Sequence, residues 1–169
     1  MPATDRQGGV VHNRVLIDGV EVARDVTVTY PDITMMTTEM QAMGTMTMPL
    51  PGLFENLELS ITRDGIDKQY ASMVSPKSHQ IEVREAVEMY KADGTYGTVF
   101  LKTYAEGVPL NIPGGSSEIG SKRSPELKFT LTKYQQYADG EELYDIDRPN
   151  LVFKVDGEDY MEDMRNQMQ

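Results

Sequence analysis

Apolar and polar residues alternate along much of the chain, the pattern of strands that bury one face. In the stretch PELKFTLTKYQQY, Leu127, Phe129 and Leu131 alternate with lysine and threonine. A period of two residues is typical of a half-buried β-strand. The same pattern predicts strands within 10–17, 20–30, 57–62, 79–90, 98–107, 125–137, 141–147 and 151–155.

Turn residues separate these runs. Asp18-Gly19, Asp139-Gly140 and Asp156-Gly157 each lie between two apolar runs, and an Asp-Gly pair favours a two-residue hairpin turn because both positions need positive φ. Lys91-Ala92-Asp93-Gly94 predicts a fourth turn. We therefore expect neighbouring strands to pair antiparallel.

Two short segments have helical spacing instead. Residues 65–74 place Ile66, Tyr70 and Met73 on one face, with Asp64 or Asp67 as the N-cap. Residues 158–169 predict a C-terminal helix, with Tyr160, Met161 and Met164 sharing a face. The expected fold is mainly β: an antiparallel β-sandwich or barrel with a mid-chain helix and a C-terminal helix, as a single domain over 1–169.

The stretch TMMTTEMQAMGTMTMPLPG, residues 34–52, contains half of the 12 methionines. It predicts a hairpin arm at about 31–55 that turns near Ala42-Met43-Gly44 and reaches about 25 Å. Methionine fills ordinary cores well. Six methionines left in water, however, would forgo a burial free energy comparable with the stability of a whole domain. We expect subunit contacts through Met35, Met36, Met40, Met43, Met46, Met48 and Leu50. The Gly, Pro and Ser-rich loop at about 106–125 is a second candidate arm.

Composition excludes several classes of function. Net charge is −11, with 27 acidic and 16 basic side chains, which argues against sequence-independent binding of nucleic acid. The same charge also serves solubility. Cysteine is absent, which excludes disulfides and thiolate chemistry. The start, MPATDRQGG, lacks the apolar core of a signal peptide, and no run has the length of a membrane span. We expect a soluble chain made in the cytoplasm, with no membrane anchor.

No pattern in the sequence predicts catalysis. His12 and His79 lie far apart in sequence and lack a triad-like neighbourhood, so a structural role is favoured for both. Gly114-Gly115 does not join a strand to a helix as a phosphate loop does. An acidic group lacks the spacing of a calcium loop and is better explained as a solvated face; its members are Asp139, Glu141, Glu142, Asp145 and Asp147. Carboxylate pairs for glycoside hydrolysis stay open, although none stands out. We expect no catalytic residue, cofactor or metal.

The order of the elements resembles a known family. An N-terminal hairpin RVLIDGVEVA precedes the apolar arm, and ELSITRDG, a short helix, two strands and a glycine-rich loop follow it. The ending YADGEELYDIDRPNLVFKVDGEDYMEDMRNQM is the most specific part. From about Val10 to Met168 the chain is similar to the major tail tube protein of contractile-tailed phages and R-type phage-tail-like bacteriocins.

This resemblance implies a structural protein of a virion tail or bacteriocin particle. Six copies would form a ring, and rings would stack into a hollow tube inside a contractile sheath, with tape-measure and baseplate proteins as further partners. DNA or ions would pass through without specific binding. Glu58, Glu82 and Glu126 are candidates for the lumen wall. The alternatives are a tube protein of a type VI secretion system, or a carbohydrate-binding β-sandwich that uses exposed tyrosines: Tyr90, Tyr96, Tyr104, Tyr134 or Tyr137.

Overall fold

A computed structural model describes residues 4–168 of the chain. The strands, in chain order, are Arg6–Ile17 (β1), Val20–Arg24 (β2), Thr27–Thr29 (β3), Met35–Gln41 (β4), Thr45–Phe54 (β5), Glu58–Thr62 (β6), His79–Tyr90 (β7), Tyr96–Pro109 (β8), Glu126–Ala138 (β9), Glu141–Asp147 (β10), Val152–Val155 (β11) and Glu158–Asp159 (β12). The helices are Lys68–Met73 (α1) and Glu162–Met168 (α2). The expected fold class, mainly β and antiparallel with two short helices, is confirmed.

Ten strands form one antiparallel sheet, and its main path runs β12-β11-β10-β9-β8-β7-β1-β2. The long strand β9 has β8 along one edge. On its other edge it pairs first with β6, through Leu127 and Phe129, and then with β10, through Tyr134. β6 also pairs with β3, which follows β2 after only two residues, Asp25 and Val26. Among the described strands the pairings therefore form a circuit that the chain itself closes between β2 and β3. The sheet is curled into a barrel, with a seam where β1 lies beside the Asp25-Val26 segment.

The side chain of Asn13 bridges this seam. Its Nδ2 donates to the carbonyl of Val26 at 2.7 Å, and its Oδ1 accepts from the Val26 N–H at 3.0 Å. The backbone carbonyl of Asn13 also accepts from the N–H of Asp25. The amide of Asn13 is buried and takes the place of the missing strand-to-strand hydrogen bonds.

The core lies inside the barrel and is built from the inward half of each alternating strand. Leu59 and Ile61 on β6 face Phe129 and Leu127 on β9, and all four side chains are almost fully buried. Helix α1 packs against this core through Tyr70 and Met73, both buried. The predicted alternation therefore identifies the core face correctly in this pair of strands.

The N-terminus of α1 is fixed by Asp67, one of the two caps expected from the sequence. Its carboxylate accepts from the N–H of Tyr70 at 2.8 Å. The Arg63 guanidinium, together with this backbone N–H, lowers the pKa of Asp67 to about 2. Ile66 precedes the helix and is exposed, so the prediction that it packs with Tyr70 was wrong. The reason is that the N-cap is Asp67, the residue after Ile66, which leaves Ile66 outside the helix.

The three Asp-Gly turns are confirmed, with positive φ at both positions of each; for Asp18-Gly19 the values are 52° and 81°. The C-terminal prediction was wrong in part. Glu158–Asp159 forms the short strand β12 against β11, and the helix begins only at Glu162. Met161 is buried before that helix, whereas Met164 is exposed. Strand β8 also continues to Pro109, so the irregular loop covers residues 110–125.

Candidate functional site

Strands β4 and β5 form a two-stranded sheet of their own, which we call the arm. Within the described part of the chain they pair with each other and with no other strand. The ribbon turns at Met43-Gly44, where φ is 52° and 120°. The arm therefore lies within the range 31–55 expected from the sequence and turns close to the expected tip.

The arm has two chemically different faces. The cross-strand pairs Thr38–Met48 and Met40–Met46 lie on one face, which we call the methionine face. The pairs Glu39–Thr47 and Gln41–Thr45 lie on the other, the polar face, because side chains alternate along each strand. The Gln41 amide donates to the hydroxyl of Thr45 at 3.3 Å across the polar face.

The side chains of the methionine face and of the tip are uncovered. Met35 and Leu50, near the base, are half-buried, and Met35 packs against the barrel core. The exposed fractions of the others are 50% for Met36, 50% for Met40, 109% for Met43, 47% for Met46 and 36% for Met48. The chain itself therefore does not cover this apolar surface, which is unusual for so many large side chains in one place.

The base of the arm is held firmly. The ring of Phe54 packs edge-on against Phe153 at a centroid distance of 4.8 Å, and the guanidinium of Arg148 donates to the Phe54 carbonyl at 2.7 Å. Gly52, with φ of 90°, lies against the thioether of Met161. The sequence shows no signal for these contacts, because their partners lie about one hundred residues away.

The loop 110–125 is fixed at its C-terminal end. Asp64 accepts hydrogen bonds from the Ser124 hydroxyl at 2.6 Å and from the Lys122 ammonium at 3.1 Å, and both lower its pKa. The backbone N–H of Gly65 donates to Arg123. Ile119 of this loop is fully exposed, so the loop also presents apolar surface.

The three glutamates expected at the lumen wall lie on the outer surface of the barrel. Glu58 on β6 is 3.7 Å from the ammonium of Lys128, and Glu82 on β7 is 2.5 Å from the guanidinium of Arg84. Glu126, at the start of β9, is exposed. The structure brings no two of them into contact, and two of the three have a cation beside them.

Both histidines bind carboxylates within the fold. His12 Nδ1 lies 2.5 Å from an Asp25 oxygen at the surface. His79 is buried, with Nδ1 2.7 Å from Asp18 and Nε2 2.9 Å from the Ser75 carbonyl. His79 thus ties the first hairpin turn to the end of α1, in agreement with the structural role expected for it.

The acidic group 139–147 consists in part of turn caps. Asp139 accepts from the N–H of Phe100 at 3.0 Å, and Asp147 accepts from Asn150. Among the described residues, no three His, Asp or Glu side chains are placed together to hold a metal ion. In the same part of the chain, no helix has the length and apolarity to span a bilayer.

Four of the five tyrosines named for glycan binding lie on the outer face of β7, β8 and β9, where they form two separate pairs. Tyr134 is buried, and burial raises its pKa to about 12. Tyr90 stacks edge-on with Tyr96 at 5.3 Å, and Tyr104 stacks edge-on with Tyr137 at 5.7 Å. The second pair lines a shallow depression of about 510 Å³, which is open rather than shaped around a ligand.

One family model and two solved structures match the chain. The family model "Phage tail tube protein FII" matches residues 10–168. A chain of the sheath/tube terminator of PVC, an extracellular contractile injection system, in its extended state has the same fold, with a TM-score of 0.56 and 11% identity over 76% of this chain and 95% of that one. A chain of the PVC sheath–tube complex in the extended state gives a TM-score of 0.52 and 13% identity over 75% and 88%. No curated protein matches the sequence. The resemblance found in the sequence is confirmed: the chain belongs to the phage tail tube protein FII family.

Proposed function

We propose that this tail tube protein assembles into hexameric rings that stack into the inner tube of a contractile phage tail or phage-tail-like bacteriocin. The observation that carries the proposal is the exposed methionine face of the arm. The arm is rigidly attached at Phe54 and projects a row of apolar side chains that its own chain leaves in water. Another copy of the chain is the surface that covers them.

The free energy gained by burying the arm methionines supports cooperative assembly. Full burial of a methionine side chain stabilises by roughly 1.5–3 kcal/mol. Most of the arm methionines are already about half covered. Burying the part of five methionine side chains that is still exposed would therefore contribute roughly 5 kcal/mol per arm. Association itself costs about 4–15 kcal/mol. One arm contact is therefore weak, whereas a closed ring, in which each copy gives and receives an arm, is stable.

The charge of the chain fits a conduit that does not bind its cargo. A net charge of −11 per copy becomes −66 for six copies. Where part of that charge faces the bore, DNA is repelled from the wall and passes without adhesion. A bacteriocin tube without DNA would conduct ions by the same route. Glu58, Glu82 and Glu126 are wall candidates on this proposal.

The proposed partners follow from the tube. The outer surface contacts a contractile sheath, and the two ends of the tube contact tape-measure and baseplate proteins. The particle is a virion tail or an extracellular bacteriocin, assembled in the host cytoplasm. The PVC structures with the same fold are those of sheath and tube components. The family match is to phage tubes, which supports a phage-type tube over the alternative of a type VI secretion tube.

The test is assembly of the purified chain. The wild-type protein is concentrated and examined by sedimentation velocity and negative-stain microscopy, beside a variant with Met40→Glu and Met46→Glu. Two carboxylates on the methionine face cannot be buried without a large desolvation cost. We expect rings and tubes from the wild type and monomers with an unchanged far-UV spectrum from the variant.

Met164→Glu is the matched control, because Met164 is equally exposed but lies on α2 and not on the methionine face. This variant should assemble like the wild type. If the wild type stays monomeric at every concentration, the tube proposal fails. If the arm variant forms tubes as readily as the wild type, the arm is not the contact.

A further inference from the structure

His79 is buried between two hydrogen-bond acceptors, one for each nitrogen of its ring. Only 1% of the residue is exposed. Nδ1 lies 2.7 Å from a carboxylate oxygen of Asp18, in the turn between β1 and β2, and Nε2 lies 2.9 Å from the backbone carbonyl of Ser75, just after α1. The ring therefore joins two segments that are distant in the sequence.

Neither neutral form of the ring can satisfy both contacts. A neutral imidazole has one N–H donor and one nitrogen acceptor, whereas the Ser75 carbonyl can only accept. The Asp18 carboxylate is ionised and also accepts. Burial opposes its ionisation, but the Gln80 N–H, the histidine ring and the Lys77 ammonium lower the pKa of Asp18 below its usual value. Either neutral tautomer would thus set a nitrogen lone pair against an oxygen acceptor at 2.7 or 2.9 Å.

The charges around the ring favour a proton on both nitrogens. Asp18 is the charged group in contact with it, and an ionised carboxylate at hydrogen-bond distance stabilises an imidazolium. Lys77, the other charged group near this carboxylate, is exposed, so water and salt screen it. The neighbours on β9 and β8 carry no charge: the ring of Phe129 lies edge-on at a centroid distance of 6.3 Å, and the residue paired with His79 is Gly107.

We propose that His79 is an imidazolium in the folded chain and that it forms, with Asp18 and the Ser75 carbonyl, a proton-dependent latch between the first hairpin turn and the end of α1. The latch is complete only while both ring nitrogens carry hydrogen. It does not depend on the proposed tube function, because all of its groups lie within one subunit.

Loss of the proton as the pH rises opens the latch on the α1 side. The neutral ring keeps one N–H, and its bond to the charged Asp18 oxygen is stronger than a bond to a neutral carbonyl. The Ser75 carbonyl retains another donor, the N–H of Lys77 at 2.7 Å. The first hairpin turn also stays joined to β7, because the N–H of Asp18 donates to the carbonyl of Gln80 at 2.8 Å. The segment after α1 is therefore released, and the turn is not.

The protonation state of His79 can be observed directly by NMR. His12 is the only other histidine, so a His12→Gln chain labelled with ¹⁵N in histidine reports on His79 alone. At pH 7.5 a histidine in an unfolded chain is about one-tenth protonated. The two ring nitrogens have similar chemical shifts in an imidazolium and widely separated shifts in a neutral ring.

Asp18→Asn in this chain removes the charge and keeps the turn, since asparagine tolerates the φ of 52° and Asn-Gly favours the same hairpin. Its amide can donate to a neutral Nδ1 while Nε2–H donates to Ser75, so this variant needs no extra proton. Asp139→Asn is the matched control, because Asp139 also precedes a glycine in a hairpin turn, with φ of 48°, and its carboxylate binds the N–H of Phe100 rather than a histidine.

We expect the imidazolium pattern at pH 7.5 with Asp18 present and in Asp139→Asn, and the neutral pattern in Asp18→Asn. The fold holds a proton that the unfolded chain releases near pH 6.5, so the contribution of the latch to stability is present below that pH and is lost as the pH rises. Relative to Asp18→Asn, the unfolding constant of the parent chain in urea should rise several-fold, and by at most about tenfold per pH unit, between pH 7 and 9.

A neutral pattern at pH 7.5 with Asp18 present would overturn the proposal. So would a pH dependence of stability that Asp18→Asn leaves unchanged, or one that Asp139→Asn abolishes equally. Far-UV spectra of all variants at pH 7 establish that each is folded before the comparison is made.

Discussion

Gly52 controls how the arm leaves the barrel, and the substitution Gly52→Ala tests that contact. Gly52 has a φ of 90°, where an L-residue is strained. A Cβ placed on it would lie 2.2 Å from the Sδ of Met161 and 2.7 Å from its Cε. Met161 is only 6% exposed, so its side chain can move aside only by leaving the core or by shifting the base of the arm.

The expected loss of folding stability in Gly52→Ala has two parts. The positive φ costs alanine roughly 1–2 kcal/mol. Displacing a buried methionine costs roughly another 1.5–3 kcal/mol. The free energy of unfolding should therefore fall by about 3 kcal/mol, which lowers Tm by about 6–12 °C for a domain of this size. Gly44→Ala is the matched control, because Gly44 also has positive φ, 120°, but a Cβ there meets nothing within 4 Å.

The assay is chemical and thermal unfolding of the unassembled chain. Gly44→Ala should lower the free energy of unfolding only by the cost of a positive φ for alanine, about 1–2 kcal/mol. In a Met161→Ala background, Gly52→Ala should cost no more than Gly44→Ala does, since the clash is gone. Equal losses for Gly52→Ala and Gly44→Ala in the wild-type background would refute the contact, and the proposed fixing of the arm base would lose one of its supports.

Three further predictions concern the barrel and α1. Asn13→Ala should lower the free energy of unfolding by about 2 kcal/mol in urea denaturation, because both hydrogen-bonding groups of Val26 lose their partner. Gly107→Ala should cost about 2–4 kcal/mol by the same measurement, since its Cβ would lie 2.5 Å from a backbone oxygen of β9; Gly9→Ala, where a Cβ meets nothing within 4 Å, should be near neutral. Asp67→Ala should lower Tm at pH 7. The folded pKa of Asp67, about 2, is below its usual value of about 3.9, so this Asp67 contribution is present above pH 4 and disappears as the pH falls toward 2. A Tm difference that stays constant from pH 7 to pH 2 would contradict the role of the charge.

Local patterns in the sequence were enough to predict most of the strands and the Asp-Gly turns. Alternation identified the inward residues of β6 and β9, and the Asp-Gly pairs fixed three hairpins, because both signals depend on residues a few positions apart. The same logic failed at the C-terminus. The segment after Asp156-Gly157 has helical spacing, yet Glu158–Asp159 pairs with β11, since an available strand edge outweighs a weak helical preference.

The candidate site was predictable in part. The hairpin arm and its methionines followed from composition, and its two faces follow from alternation once the register is known. The shift in register between Met35 and Thr37, at the base of the arm, could not be seen in the sequence. The contacts of the base with Arg148 and Met161 depend on folding of distant segments. The sequence accordingly indicated the arm, but not the contacts that hold its base.

The seam closed by Asn13 determines where the barrel yields under mechanical load. Paired strands around the circuit are joined by ladders of backbone hydrogen bonds that must break together, whereas β1 is joined to the segment between β2 and β3 by one amide side chain and the carbonyl of the same residue. A load that separates β1 from β3 would break these few bonds first, while the ladders on either side and the chain between β2 and β3 would stay joined.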